Sequence, residues 1–327
     1  MAPTIRLDLE RPAEQRWEGM RPLAASARGL IESYLRDLGT GGGDQFLPLL
    51  SAYRAAQLPD EVWAEIQSIA SMVGLPADDV LVANLYYEVF RLIMGCTAFA
   101  VDTPRGPIHA RNLDWWTESG MLDRETVVVE VSGRSAAGPF SMVGWPGFVG
   151  TLSGMAPGRF SVTVNAVLSN EPPQLAAPIT FLVRDVLTTA RDFGAAVERL
   201  STTALLADCL MLVTGCAPGE MAVIERTSTR AAVRKPEAGA IVVTNEYRGL
   251  VDSKAGATES LLAQTASARY VRARDLVESR RPADVEGCLA ILRDAGVRMK
   301  ITVQHMVMQP STGLLDVRLP SALDSGR

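Results

Sequence analysis

The sequence predicts an α+β protein built on antiparallel sheets, and three observations predict it. Residues 1–95 carry apolar side chains mostly at helical spacing. From residue 96 onward, β-branched runs punctuated by Gly and Pro take over, with connections too short for parallel crossovers. Two helices interrupt those strands before more strands close the chain, a pattern of segregated helices and strands rather than a βαβ alternation. No linker-like stretch and no repeat divides the 327 residues, so the chain reads as one structural domain.

The elements follow in order. Thr4-Ile5-Arg6-Leu7 is strand-like. Apolar positions 23, 27, 30, 31, 34, 35 and 38 then form a helical stripe that Gly39 to Gly43 stops. A second helix starts with Asp60 as N-cap, carries Val62, Ile66, Ile69 and Val73 on one face, and ends at Gly74. A third begins near Pro76 and runs through Leu81, Leu85 and Val89 towards Met94. Strands are expected over 126–131, 140–145, 150–153 and 159–164; helices through Phe181–Leu187 and Ala196–Leu200; and strands over 210–214, 221–225 and 241–244. A helix from about Ser260 to Leu276 carries Arg269, Arg272 and Arg274, most of them on a solvated face with room for one turned inward. Residues 301–308 and 314–319 form a closing hairpin around Pro310-Ser311-Thr312-Gly313.

The chemistry concentrates in one hairpin, Gly95-Cys96-Thr97 to Asp102 and Ile108 to Asp114, turned by Thr103-Pro104-Arg105-Gly106. With Asp102 opposite Pro107, Cys96 falls opposite Leu113, and Arg111 lies diagonal to it on the same face. Asp114 has the opposite parity and meets Cys96 only where a strand ends or bulges. Read from the hairpin alone, Cys96 is more often a small buried hydrophobe than a nucleophile.

Bulk properties exclude several functions. The net charge of −5, with no basic run interleaved with aromatics, disfavours a nucleic-acid partner. The N-terminus shows no apolar h-region and no stretch reaches 18 apolar residues, so a cytoplasmic protein with reduced thiols is expected. The four cysteines (96, 209, 216, 288) lack CxxC spacing, which argues against zinc and disulfide frameworks; Cys209, Cys216 and Cys288 read as core. The two histidines, His109 and His305, lie inside strand patterns, where a structural role is the commoner one.

The hairpin Gly95-Cys96-Thr97…Ala110-Arg111-Asn112-Leu113-Asp114-Trp115 resembles the start of the mature chain in acid ceramidase and N-acylethanolamine-hydrolysing acid amidase, within the group of choloylglycine hydrolase and the isopenicillin-N acyltransferases. The likeness extends to Ile5-Arg6-Leu7-Asp8 with Pro12 and Arg16-Trp17, to Asn84-Leu85-Tyr86-Tyr87-Glu88, to residues 150–165, and to Val243-Thr244-Asn245. It implies the four-layer αββα N-terminal-nucleophile fold with a helical pro-segment. It also implies self-cleavage between Gly95 and Cys96 into residues 1–95 and 96–327, the two fragments staying associated. The freed amine, with an ordinary pKa of about 7.7–8.0, would serve as general base for its own thiol.

By the same resemblance Cys96 is the nucleophile, Arg111 orients it, Asp114 holds the α-ammonium, and Asn165 and Asn245 offer N–H groups to the oxyanion. Arg269 is the candidate second active-site arginine, and Trp115 and Trp145 are candidate acyl contacts. Two positions depart from the ceramidase pattern: Ala166 stands where a Glu follows the first Asn, and Arg269 lies further beyond Asn245, a spacing closer to the acyltransferases. The expected activity is hydrolysis of a linear amide with a fatty-acyl part through a Cys96 thioester, with no metal or organic cofactor. An acyltransferase and a non-processed lipid-binding protein are the alternatives. Weak peripheral membrane contact through residues 23–38 and 60–94 is a further expectation, although these helices lack a Lys/Arg-rich polar face.

Overall fold

In the computed structural model, which describes residues 2–40, 53–54, 57–89, 94–117, 119–134, 137–250 and 261–320, the chain opens on an edge strand, β1 (Thr4–Asp8). Ile5 and Leu7 alternate inward, and β1 pairs in parallel with β4 (Val127–Ser132), Ile5 opposite Val129 and Leu7 opposite Val131. The helical segment follows as α1 (Ala24–Thr40), α2 (Asp60–Val73), α3 (Ala77–Asn84) and the single turn α4 (Tyr86–Val89).

α1 runs through Gly39 to Thr40, and Gly41–Gly43 lie outside the described residues. Pro59, not Asp60, occupies the N-cap of α2; Asp60 and Glu61 instead sit in its first turn, where they complement the helix dipole. Gly74 ends α2 at φ 68°, a left-handed conformation suited to glycine, with its N–H on Ala70 O at 2.9 Å.

The single helix expected from Pro76 towards Met94 is broken at Leu85. At the break Leu85 leaves helical geometry (φ −95°, ψ 4°), and the neighbouring Asn84 ties the helix end to a distant turn: its Nδ2 donates to Val80 O and Gly147 O while its Oδ1 accepts Val149 N–H at 2.7 Å. Residues 90–93 lie outside the described residues.

Two sheets stack. The smaller has the order β11-β2-β3-β12-β13, from β2 (Met94–Val101), β3 (Ile108–Trp115), β11 (Ala240–Val243), β12 (Thr302–Gln309) and β13 (Leu314–Arg318). The larger has eight strands, β1-β4-β5-β6-β7-β8-β9-β10, adding β5 (Phe140–Gly144), β6 (Ser153–Ala156), β7 (Phe160–Asn165), β8 (Cys209–Thr214), β9 (Met221–Arg226) and β10 (Ala231–Arg234). Apart from β1 with β4, the strand pairings within these two sheets are antiparallel among the described residues.

Small side chains let the sheets approach. Ala98 and Ala100 of β2 pack on Leu210, Leu212 and Val223 of the facing sheet, while Phe99 and Val101 point the other way. There they meet Ala273 and Val277 of α7 (Leu261–Arg280) and Leu289 and Leu292 of α8 (Val285–Leu292). On the outer side of the large sheet lie α5 (Ile179–Thr189) and α6 (Phe193–Thr202); a Cβ on Gly154 would meet the Leu187 side chain of α5, so a larger residue there would have to displace that leucine. The layers are therefore helix, sheet, sheet, helix, with α1–α4 packed across the sandwich.

Three local readings are corrected. The strand expected over 150–153 is displaced to Ser153–Ala156; β10 and α8 were not foreseen; and Cys216 is only half-buried beside a turn. The helical segment is bolted to the sandwich by a buried charge cluster. Glu65 of α2 accepts from Arg184 of α5 at 2.5 and 2.8 Å, from Arg16 at 3.1 Å and from Trp17 Nε1 at 2.8 Å. Burial pushes its carboxyl up, but the Arg184 charge and these hydrogen bonds outweigh that and hold it below its usual range.

Candidate active site

The hairpin has the register counted from the sequence: Val101 opposite Ile108, Cys96 opposite Leu113 and Gly95 opposite Asp114. Period-2 alternation then sorts the residues onto two faces of one strand pair. Cys96, Arg111 and Leu113 face the other sheet. Thr97, Asn112 and Asp114 face α7 and α8, where Asn112 Nδ2 donates to Leu292 O at 2.7 Å.

On the inter-sheet face, Arg111 Nη2 lies 3.1 Å from Cys96 Sγ and donates to Val164 O at 2.6 Å. Its Nη1 donates to Leu152 O and Ser153 Oγ. The guanidinium is fully buried, and besides the sulfur its Nη hydrogens go to two carbonyls and a hydroxyl.

On the helix face, Arg269 of α7 turns inward from an otherwise solvated row. It donates to Cys96 O at 2.7 Å, to Thr97 Oγ1 at 2.9 Å and to Asn245 Oδ1 at 2.7 Å. Asn245 Oδ1 also accepts the Cys96 N–H at 3.0 Å. Asp114 does not reach the thiol; it meets the backbone of Gly95 instead. A Cβ on Gly95 would lie 3.3 Å from Asp114 Oδ2 and 2.7 Å from Met299 Sδ, so a side chain at residue 95 would have to push Met299 aside. Thr302 Oγ1 donates to Asp114 Oδ1 at 2.5 Å, whereas Oδ2 has no partner among the described residues. Burial raises the Asp114 carboxyl above its usual range, only partly countered by Arg269, Thr302, Arg111 and Arg298.

The two asparagines cross-link strand ends. Asn165 Nδ2 donates to Thr244 O at 2.8 Å and Val243 O at 3.3 Å, and Asn245 Nδ2 donates to Ala166 O at 2.8 Å. Both N–H bonds of Asn165 are thus engaged, while Asn245 retains one without an acceptor among the described residues. Trp115 and Trp145 are buried in an aromatic cluster with Tyr34, Tyr86 and Phe148, their own rings edge to face at 5.1 Å. The cavity beside Trp145 and Tyr34, about 10 Å³, has room for about one water molecule.

Both histidines are tied into the sheets: His109 bonds Ser161 Oγ and Thr163 Oγ1, and His305 bonds Asn112 Oδ1. Among the described residues no three His, Cys, Asp or Glu side chains cluster as a metal site. Sequence reasoning missed Thr97, Met299 and Thr302. Only Thr97, adjacent to the cysteine, carried a signal.

Two stacked, mainly antiparallel sheets between helix layers, with a Gly-Cys junction in the central hairpin of the smaller sheet, make up the αββα fold of the N-terminal-nucleophile hydrolases. Comparison with known proteins narrows this. Residues 101–300 match the family described as acyl-coenzyme A:6-aminopenicillanic acid acyl-transferase, and the chain belongs to that family. It is 28% identical over 257 residues to acid ceramidase of Balaenoptera acutorostrata scammoni, an alignment covering 68% of this chain and 62% of that protein. It is 29% identical over 268 residues to N-acylethanolamine-hydrolyzing acid amidase of Caenorhabditis elegans, covering 76% and 73% respectively. The solved Caenorhabditis elegans N-acylethanolamine-hydrolyzing acid amidase ortholog shares the fold, with a TM-score of 0.55 at 24% identity over 70% of this chain and 95% of that one.

Proposed function

We propose that the chain cuts itself between Gly95 and Cys96 and then hydrolyses linear amides with a fatty-acyl part, N-acylethanolamine- or ceramide-like. The observation that carries this reading is that every polar atom of Cys96 meets a side chain: Sγ meets Arg111, N meets Asn245 and O meets Arg269. The names of the two relatives supply the substrate class.

In the cut, Sγ bonds to the Gly95 carbonyl carbon, the carbon–nitrogen bond breaks, and the thiol proton passes to the departing nitrogen. Water then hydrolyses the thioester, returning a proton to sulfur and leaving a Gly95 carboxylate and a Cys96 ammonium. In turnover the neutral amine takes the thiol proton, Sγ attacks the substrate carbonyl, and the amine product leaves with that proton before water releases the acid. Asp114 would hold the ammonium, and the spare N–H of Asn245 would face the oxyanion while Asn165 braces the strand end carrying it. Trp115 and Trp145 would line the acyl side. Residues 1–95 would stay bound to 96–327 through β1 and the helical segment.

The intact mass of purified protein tests the first step: two species separated after Gly95 are expected, and a Cys96→Ala variant that stays whole. Splitting of that variant would overturn the assignment. A whole wild-type chain that binds fatty-acyl amides without turnover would favour a lipid-binding protein instead. The family description favours a second reading, an acyltransferase. Incubation with an acyl thioester and an amine separates the two, since a transferase forms amide in preference to free acid.

A further inference from the structure

We propose that Thr302 is a positioning residue that aims Asp114 at the Gly95–Cys96 junction. This inference rests on the self-cleaving reading above. β12 does not run in regular register along β3: Gln304 pairs with Leu113, but Thr302 pairs with Asp114, so one extra residue is accommodated between them. In an unbulged strand Thr302 would share the face of Gln304 and Met306, away from Asp114. The bulge turns it onto the face of Asp114.

Two hydrogen bonds lock it there. Thr302 Oγ1 donates to Asp114 Oδ1 at 2.5 Å and accepts the Met299 N–H at 3.1 Å. A hydroxyl whose lone pair is engaged by a backbone N–H has its proton aimed outward, here at one carboxylate oxygen. With Oδ1 held, Oδ2 is turned to the narrow space occupied by Gly95, and it is a fully buried acceptor without a partner among the described residues. Buried carboxylate oxygens are rarely left in that state unless a donor arrives at another stage. The ammonium that the cut creates at Cys96 is such a donor, one residue from Gly95. Met299 closes the other side, with Sδ against the Gly95 position. The same short segment thus supplies both the orientation of the acid and the side chain that stands against residue 95.

The test compares Thr302→Val with Thr302→Ser. Wild-type splitting is measured first by intact mass against time. A wild-type chain that neither splits nor hydrolyses an N-acyl amide removes the reading of the site, and this inference with it. If the wild type splits, Thr302→Val is expected to split about tenfold more slowly or worse, the loss of one charge-assisted hydrogen bond. After the cut it should show a kcat reduced by a similar factor with KM unchanged, because Thr302 acts through Asp114 and not on the substrate. Thr302→Ser should restore both rates to within about twofold. Wild-type rates in Thr302→Val would overturn the inference alone, leaving the site reading intact. So would a Thr302→Ser variant as slow as Thr302→Val, since that would trace the loss to packing at the bulge. Should Thr302→Val yield no folded protein, Thr302→Ala takes its place, removing the same hydroxyl without adding a methyl beside the carboxylate.

Discussion

Cys96 exposes its sulfur to Arg111 on one face and its backbone to Asn245 and Arg269 on the other. Counting parity from the turn foretold the first of these neighbours, because side-chain alternation in a regular hairpin leaves no freedom. It could not foretell Thr302, since a bulge in a partner strand nearly 190 residues away leaves no local mark. The inter-sheet row also carries His109. Burial, and then the Arg111 charge, push its imidazole from 6.5 down to about 3, so it is neutral in the folded state. The unfolded chain binds that proton near pH 6.5 and the folded one does not, so stability is full above this value and declines as pH falls towards 3. Between pH 7 and pH 5 the wild type should lose about 2 kcal/mol more than His109→Gln, measured by urea unfolding at each pH.

Elements were legible in proportion to how one-sided they are. α2, with a single apolar face and a glycine terminator, has its end where the pattern puts it. β3, β7, β8, β9 and β12 are buried at every residue, since each lies between another sheet and a helix layer, and alternation vanishes in such strands. The run Val285–Leu292 escaped as a helix because a short, mostly apolar stretch fits either period. Nor did the spacing of Arg16, Glu65 and Arg184 hint at their meeting, for they come from three separate segments. That cluster carries an expectation of its own. Glu65→Gln leaves the buried Arg184 guanidinium without a carboxylate partner among the described residues, while Arg16 keeps Glu61 at 2.9 Å, and should destabilise the protein by about 3–5 kcal/mol in chemical denaturation. Because the Glu65 carboxyl is held low, its contribution is present at neutral pH and withdraws only as pH falls below the ordinary carboxylate range.

At the scale of the whole molecule, the layering was readable as a class, and the resemblance supplied its four-layer form. What sequence patterning did not convey is which strands neighbour which. The parallel pairing of Thr4 with Val128 brings together residues more than 120 positions apart. Only closing the sandwich rewards such a contact. Under the proposed cut, that edge strand belongs to one product and its partner to the other. One sheet is then woven from two polypeptides, and the intact precursor is the only form in which they share a tether. Once denatured, the severed pair must find each other by diffusion. Its recovery from urea should therefore improve when protein concentration is raised tenfold, while Cys96→Ala regains its fold at a concentration-independent rate. Maturation would in this way be a one-way door, trading the ability to start over for a free chain end.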